Sequence, residues 1–337
     1  MSACVHLGRR YRHRHAECCR ELRIASSVEA TPCPKEERVN NSTTGSSFRP
    51  NWASKLALLS ALAILSGCEL FGTDSQPDAQ IDPTQPPITA GPWRRPAVSD
   101  RWQWQLQPDR AGRINTGYAV EVYDIDLFDA PDSVIADLHA QGRMVIAYFS
   151  AGTSESFRSD FTEFQSSDMG NTLADHPNER WLDVRSANVL RIMQARLDLA
   201  ARRGFDGVEP DNVDGYTNNS GFPLTADDQL AFNRFVANEA HRRGLSVGLK
   251  NDLDQVPQLV AYFDFAVNEQ CHEFNECDAL KPFIDAGKPA FNAEYHATFV
   301  NSAAARDQIC TDARMRNMRT LILPLDLDDS FRFACDP

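Results

Sequence analysis

Carboxylates recur where short apolar runs end in the C-terminal two-thirds of this chain. They fall in Tyr123-Asp124-Ile125-Asp126, Glu209-Pro210-Asp211-Asn212, Asn268-Glu269-Gln270, Glu294-Tyr295 and Asp326-Leu327-Asp328, and Tyr148-Phe149-Ser150-Ala151-Gly152 and Lys250-Asn251-Asp252 end runs of the same kind. Carboxyls gathered with a lysine and aromatics are what cleavage of a glycosidic bond needs. One carboxyl protonates the leaving oxygen, and another attacks the sugar carbon or activates water. The same oxygens could hold Ca²⁺ or Mg²⁺, but no EF-hand spacing is present and no His of the C-terminal region falls in an H-x-x-x-H pair. Catalysis without a metal or other cofactor is the expectation.

Side chains this far apart in sequence meet only if the backbone brings the run ends to one side. Short apolar runs alternate with helical patterns eight times, which gives a parallel sheet rather than a sandwich. Strands are expected near Trp102–Gln107, Val120–Ile125, Met144–Phe149, Gly207–Glu209, Ser246–Lys250, Phe263–Asn268, Ala290–Ala293 and Thr320–Leu325. Helices are expected over Pro131–Ala140, over 187–202 with Leu190, Met193, Leu197 and Ala200 on one face, and from a Thr225/Asp228 capping box to Arg243. Further helices are expected at 254–261, 278–286 and 302–317.

Eight β/α units in about 240 residues specify an α/β fold, a (β/α)₈ TIM barrel, whose chemistry sits where the strands end. The two-residue period of a strand then selects the inward side chains. With Val208, Val247 and Leu249 facing the helices, Gly207, Glu209 and Asp211 face the lumen, as do Ser246, Gly248 and Lys250, and Glu269 joins Phe265 and Val267.

The 337 residues carry a formal net charge of −13 and are 42% hydrophobic, which excludes a collagen, a polytopic membrane protein and a largely disordered chain. Residues 1–67 hold 10 Lys and Arg against 5 Asp and Glu, leaving 24 against 42, a net of −18, for residues 68–337. A nucleic-acid-binding body is disfavoured by that sign. Arg49 and Lys55 precede the apolar run from Leu56 to Leu65, which is too short for a membrane span and exits through Ser66-Gly67-Cys68. The tetrad Leu65-Ser66-Gly67-Cys68 resembles a bacterial lipobox, which implies lipidation of Cys68 and an exported protein anchored in the cell envelope. Glu69 directs it to the outer membrane if the host is Gram-negative.

The expected organisation is an upstream extension over 1–48, read as a start codon placed too early, a lipoprotein signal over 49–67, a disordered linker over 68–95 and the barrel over 96–337. His13, His15, Cys18 and Cys19 lack a second ligand pair at finger spacing and are not read as a metal site. Four Cys remain in the barrel region, at 271, 277, 310 and 335, and an exported chain favours disulfides. We pair Cys271 with Cys277 and Cys310 with Cys335, with two other pairings open.

Six strings carry a family resemblance: Tyr123-Asp124-Ile125-Asp126, Ala147-Tyr148-Phe149-Ser150-Ala151-Gly152, Trp181-Leu182-Asp183-Val184-Arg185, the run from Gly204 to Tyr216, Gly248-Leu249-Lys250-Asn251-Asp252 and Val267-Asn268-Glu269-Gln270-Cys271. In this order they resemble glycoside hydrolase family 114, named for endo-α-1,4-polygalactosaminidases. The resemblance covers nearly all of 100–335. It implies hydrolysis of an α-1,4-linked galactosamine-containing polysaccharide by Asp211 and Glu269, with Glu269 as nucleophile and Asp211 as acid/base if the reaction is retaining. Pro210 stands where the family motif takes any residue, stiffening the rim and removing a backbone donor.

Substrate contacts are expected from Asp124, Asp126, Tyr148, Glu209, Tyr216, Lys250, Asn251, Glu294, Tyr295 and Asp326, with Glu209 also expected to pair with Lys250 one layer below Asp211. Trp102 and Trp104 are read as core, Asp183 with Arg185 as a loop lock, and His272 and His296 as solvated or hydrogen-bonded. A cationic galactosamine polymer suits the acidic body. Nothing in the sequence asks for more than a monomer. Three alternatives stay open: another amino-sugar exopolysaccharide as substrate, a surface lipoprotein that binds glycan without cleaving it, and a metal-dependent hydrolase or deacetylase, which loss of activity in EDTA would reveal.

Overall fold

The computed structural model describes residues 80–336. The upstream extension, the signal segment, Cys68 and the first part of the linker lie outside the described residues.

Eight parallel strands stand side by side: β1 (Trp102–Gln105), β2 (Val122–Asp126), β3 (Met144–Ser150), β7 (Gly207–Asp211), β8 (Ser246–Lys250), β9 (Phe265–Glu269), β10 (Ala290–Glu294) and β11 (Arg319–Ile322). All eight expected strands are present, and the fold is the expected (β/α)₈ barrel. The inward set Trp102, Trp104, Val122, Ile146, Tyr148, Phe265, Val267, Phe291 and Leu321 forms one buried cluster inside the sheet. The outward set, including Val208, Val247, Leu249 and Ala266, belongs to a second and larger cluster shared with the helices. Strand parity therefore holds. Trp102 stacks on Trp104 and Phe291 at 5.7 and 5.0 Å between ring centroids, so the two tryptophans are barrel core. Gly248 is needed here because a Cβ at that position would lie 2.3 Å from the Phe265 ring.

The helices are α1 (Asp132–Ala140), α2 (Ala187–Arg203), α3 (Ala226–Arg242), α4 (Val256–Leu259), α5 (Cys271–Phe274), α6 (Lys281–Asp285), α7 (Ala297–Asn301) and α8 (Ala303–Met315). Thr225 and Asp228 close a reciprocal capping box on α3, and Gly204 ends α2 in the left-handed region. The helices expected over 254–261 and 278–286 are each broken into a 3₁₀ turn and a short α segment, with Pro257 and Pro282 near the start of the α part. Proline suits a first helical turn and cannot extend one backwards.

Three features depart from expectation. Between β3 and α2 lies a small antiparallel sheet of β4 (Thr153–Glu155), β5 (Met169–Leu173) and β6 (His176–Leu182), in the order β4-β6-β5. Its strands are polar, β4 buried and β5 and β6 partly exposed, and carry no apolar alternation in sequence. Next, β1 and β11 form no ladder with each other among the described residues; β12 (Phe333–Ala334) pairs antiparallel with β11 at this seam. The Trp102 indole N–H donates to the Arg319 carbonyl at 2.9 Å, and Arg332 donates to the Trp102 carbonyl at 2.9 Å.

The third departure concerns the linker expected over 68–95. Its last part is a docked strap. The Ile88 N–H donates to Asn238 Oδ1 at 2.9 Å, Asn238 Nδ2 to the Pro86 carbonyl at 3.1 Å and Tyr262 Oη to the Gln85 carbonyl at 2.8 Å. Trp93 is buried and stacks on His241 at 4.3 Å, and its indole N–H and the Arg95 guanidinium both donate to Asp264. A segment poor in large apolar residues cannot fold alone, but one tryptophan and a buried carboxylate suffice to dock it on an existing core.

Candidate active site

Three neighbouring strands deliver the polar cluster, and each hands over to its loop through a left-handed residue. Asn212 follows β7 with φ 61°, Asn251 follows β8 with φ 49°, and Gln270 follows β9 with φ 63°. Non-glycine residues rarely adopt this conformation, and such residues cluster at functional sites.

Lys250 is the centre. It is 1% exposed, and its Nζ lies 3.1 Å from Asp211 Oδ1, 3.4 Å from Glu269 Oε2 and 3.5 Å from Glu209 Oε1. The ammonium also sits 4.9 Å from the Trp104 ring centroid. Burial alone would drive off its proton, but Asp211, Glu269 and Glu209 together hold its pKa well above the ordinary lysine value.

Asp211 accepts three hydrogen bonds. Lys250 and the Asn212 N–H, at 2.6 Å, reach Oδ1, and Tyr148 Oη reaches Oδ2 at 2.8 Å. Glu269 accepts from Tyr295 Oη at 2.7 Å and Asn251 Nδ2 at 3.2 Å. The Asn251 carbonyl oxygen in turn accepts from the Glu269 N–H at 2.9 Å and Asn268 Nδ2 at 3.1 Å, which fixes its amide towards β9. Asp211 Oδ1 and Glu269 Oε2 touch one ammonium, so these atoms lie no further apart than the sum of two short contacts. That limit takes in the separation of about 5–5.5 Å used by retaining pairs and reaches only the lower edge of the inverting range, about 6.5–9.5 Å.

Below this layer are Glu209 and Asp124, both fully buried. Burial pushes Glu209 up to about 8 against the pull of Lys250, and it pushes Asp124 well above the usual carboxylate range, with Glu209 adding to the effect. The structure thus brings Asp211, Glu269, Lys250, Tyr148, Asn251 and Tyr295 together. Glu209 pairs with Lys250 and Asp124 meets Glu209, both fully buried, so neither is placed for the substrate contact expected of it.

Two other expected contacts are structural locks. Asp126 is held by both terminal nitrogens of Arg158, at 2.9 and 2.6 Å, and by the N–H groups of Phe128 and Asp129. Glu294 accepts from the His272 and Glu273 N–H groups at the start of α5 and from Asn292, and burial pushes it up to about 7. It pins the loop behind Glu269. Tyr216 is half-buried with its hydroxyl 3.4 Å from Asp252 Oδ1, and Asp326 is exposed in the turn after β11. His272 packs between Asp312 and Thr320, and His296 caps α7. Asp183 pairs with Arg185 at 2.8 Å, and the Cys271–Cys277 and Cys310–Cys335 bridges are both formed.

A network behind Asp211 was not foreseen. Asn212 Nδ2 donates to Ser150 Oγ at 2.9 Å, Ser150 and Thr153 hydroxyls meet at 2.6 Å, and Thr153 donates to Glu179 Oε2 at 3.1 Å. Glu179 stands opposite Glu155 in the β4–β6 register, and burial, with Glu155 adding, pushes it up to about 8. Ser150 and Asn212 were visible at run ends, but no local pattern announces Glu179. Among the described residues the one grouping with metal-ligand geometry is Cys271, His272 and Cys277, and its two thiols are spent in a disulfide.

The raised carboxyls set the pH dependence of stability. Glu179, Glu294 and the Asp124–Glu209 couple keep protons in the fold that the unfolded chain has released above about pH 4–5. Their contribution is complete below that range and is lost as pH rises through about 7 and 8. His272, held below its ordinary value by burial, opposes them. We expect the melting temperature to fall between pH 5 and pH 8, three groups outweighing one; a flat or rising profile in thermal melts contradicts this reading.

Residues 82–337 match the family model for glycoside hydrolase family GH114. The crystal structure of Aspergillus fumigatus Ega3 in complex with galactosamine is 42% identical with a TM-score of 0.68, covering 73% of this chain and 99% of that one. The glycoside hydrolase domain of PelA from Pseudomonas aeruginosa is 14% identical with a TM-score of 0.51, covering 68% and 95%, and shares the fold. An uncharacterized protein of Deinococcus radiodurans is 27% identical over 282 residues, covering 74% of this chain and 92% of that one.

Proposed function

The chain belongs to glycoside hydrolase family GH114, and on that premise we propose that it hydrolyses α-1,4-linked galactosamine-containing polysaccharide with Asp211 and Glu269 as the catalytic pair. The observation that carries the pair is the single Lys250 ammonium between carboxyls at the ends of the fourth and sixth barrel strands. The galactosamine in the Ega3 complex supports the sugar, and the acidic body suits a polycationic polymer.

The contacts favour the role order opposite to the one the resemblance implied. Asp211 has the nearer ammonium, a phenol O–H and a backbone N–H, so it is the better-held anion and the better nucleophile. In this reading Asp211 attacks the anomeric carbon as Glu269 gives its proton to the leaving oxygen. The attack consumes the Asp211 charge, and Lys250 is left to stabilise the newly ionised Glu269. Glu269 then takes a proton from the water that opens the glycosyl ester, returning both carboxyls to their starting state.

The test is release of reducing ends from α-1,4-galactosamine polymer by residues 69–337. Release is the expected result. No release from this polymer by folded protein, with release from another amino-sugar polymer, moves the substrate and keeps the site. Anchoring through Cys68 is part of the same proposal: Cys68→Ala is expected to shift the full chain from the membrane fraction to the soluble one.

A further inference from the structure

Asp124 and Glu209 form a couple that the proposed reaction does not use. β2 sets Asp124 opposite Ile146 of β3, and Ile146 lies opposite Gly207 of β7. The ladder from Asp124 thus leads to Gly207, a residue with no side chain two positions before Glu209. Both carboxyls are fully buried, and apart from the Lys250 ammonium near Glu209 no donor among the described residues reaches an oxygen of either. What each does meet is the other: the two carboxyls lie within hydrogen-bonding reach. Two carboxylates cannot bond in this way unless one keeps a proton.

The surroundings decide which one keeps it. Trp104 of β1 and Tyr148 of β3 line the space, β7 supplies Glu209 and Asp211, β8 supplies Lys250, and β9 supplies Glu269. Only Glu209 contacts the ammonium, at 3.5 Å, so the charge belongs on Glu209 and the proton on Asp124.

We propose that Asp124 is a positioning residue, a carboxylic acid that stays protonated at neutral pH and donates to Glu209, so that Glu209 holds Lys250 up against Asp211 and Glu269. Without that proton the floor carries a second negative charge, and the ammonium is drawn down from the catalytic pair. The inference rests on the functional reading above for its effect on turnover, and on the floor geometry alone for the proton itself.

The experiment compares Asp124→Asn and Asp124→Leu with wild type. Asn is neutral and can donate to Glu209, so kcat stays within about threefold, whereas Leu lowers it by about 10²-fold, the loss that follows a misplacement of about 1 Å. The wild-type kcat falls at alkaline pH as the couple loses its proton, and in Asp124→Asn that limb is absent or moved upward. The infrared difference spectrum of wild type minus Asp124→Asn at pH 7 shows a protonated carboxylic acid. That measurement does not depend on substrate, so it separates this proposal from the choice of polymer. Absence of the acid band overturns the proposal, as does loss of activity in a folded Asn variant equal to that in Leu. If neither variant folds, the infrared pH titration of a Glu179→Gln/Glu294→Gln background decides, because those two buried acids also keep protons: an acid band that disappears by pH 6 overturns it.

Discussion

Asp211→Asn and Glu269→Gln each abolish measurable polymer hydrolysis while leaving the thermal melt close to that of wild type. The loss at Glu269 is expected at about 10²–10⁴-fold, the range of a general acid. The loss at Asp211 is expected to be larger, because an amide cannot form the glycosyl ester that a nucleophilic carboxylate forms. Azide assigns the roles. With Asp211→Ala, azide attacks from the vacated face and gives a product of inverted configuration. With Glu269→Ala it opens the glycosyl ester and gives retained configuration. The opposite stereochemistry restores the order implied by the family resemblance, and turnover retained by either isosteric variant removes that residue from the pair.

Lys250→Met is the second large effect, and it acts on stability and chemistry together. Three carboxyls lie within 3.5 Å of one Nζ, and the lysine is 1% exposed. Removing the cation leaves that negative charge buried and uncompensated, which costs about 3–5 kcal/mol for a broken buried pair. One or more of the carboxyls then takes up a proton, and Asp211 is no longer a ready anion. Urea unfolding reads the first consequence and reducing-end release the second. A variant with wild-type stability would show that the ammonium is not the keystone of the floor.

Much of this was legible in sequence, and the reason is periodicity. A strand alternates its faces, so the outward apolar residues Val208, Val247 and Leu249 put Glu209, Asp211 and Lys250 inward before any contact was known. Capping chemistry placed α3 in the same local way. What was not legible depends on segments that carry no pattern. Asp126 became a lock because Arg158 arrives from the loop after β4, and Glu294 became one because α5 turns two N–H groups towards it. The small sheet of β4 to β6 was missed because its polar residues, buried and exposed alike, give no apolar period, and Glu179 was missed with it. The strap over 82–95 reads as a tether because its order comes from Asp264 and Asn238, far along the chain. The role order proposed above rests on a few tenths of an ångström at Lys250, a distance that spacing in sequence does not encode.

The seam between β1 and β11 bears on biosynthesis. Arg332 bonds to Trp102 across 230 positions of sequence and Trp102 to Arg319 across 217, so the barrel wall is finished by its most distant contacts. Such contacts form late, because the loop they close must first be ordered by something else. The wall cannot be completed until residue 335 has emerged, and Cys310–Cys335 then fastens β12's end to α8. A nascent chain halted before that point therefore presents an open edge at β1 and an uncovered Trp102, which makes it a substrate for chaperones or for aggregation rather than a partial enzyme.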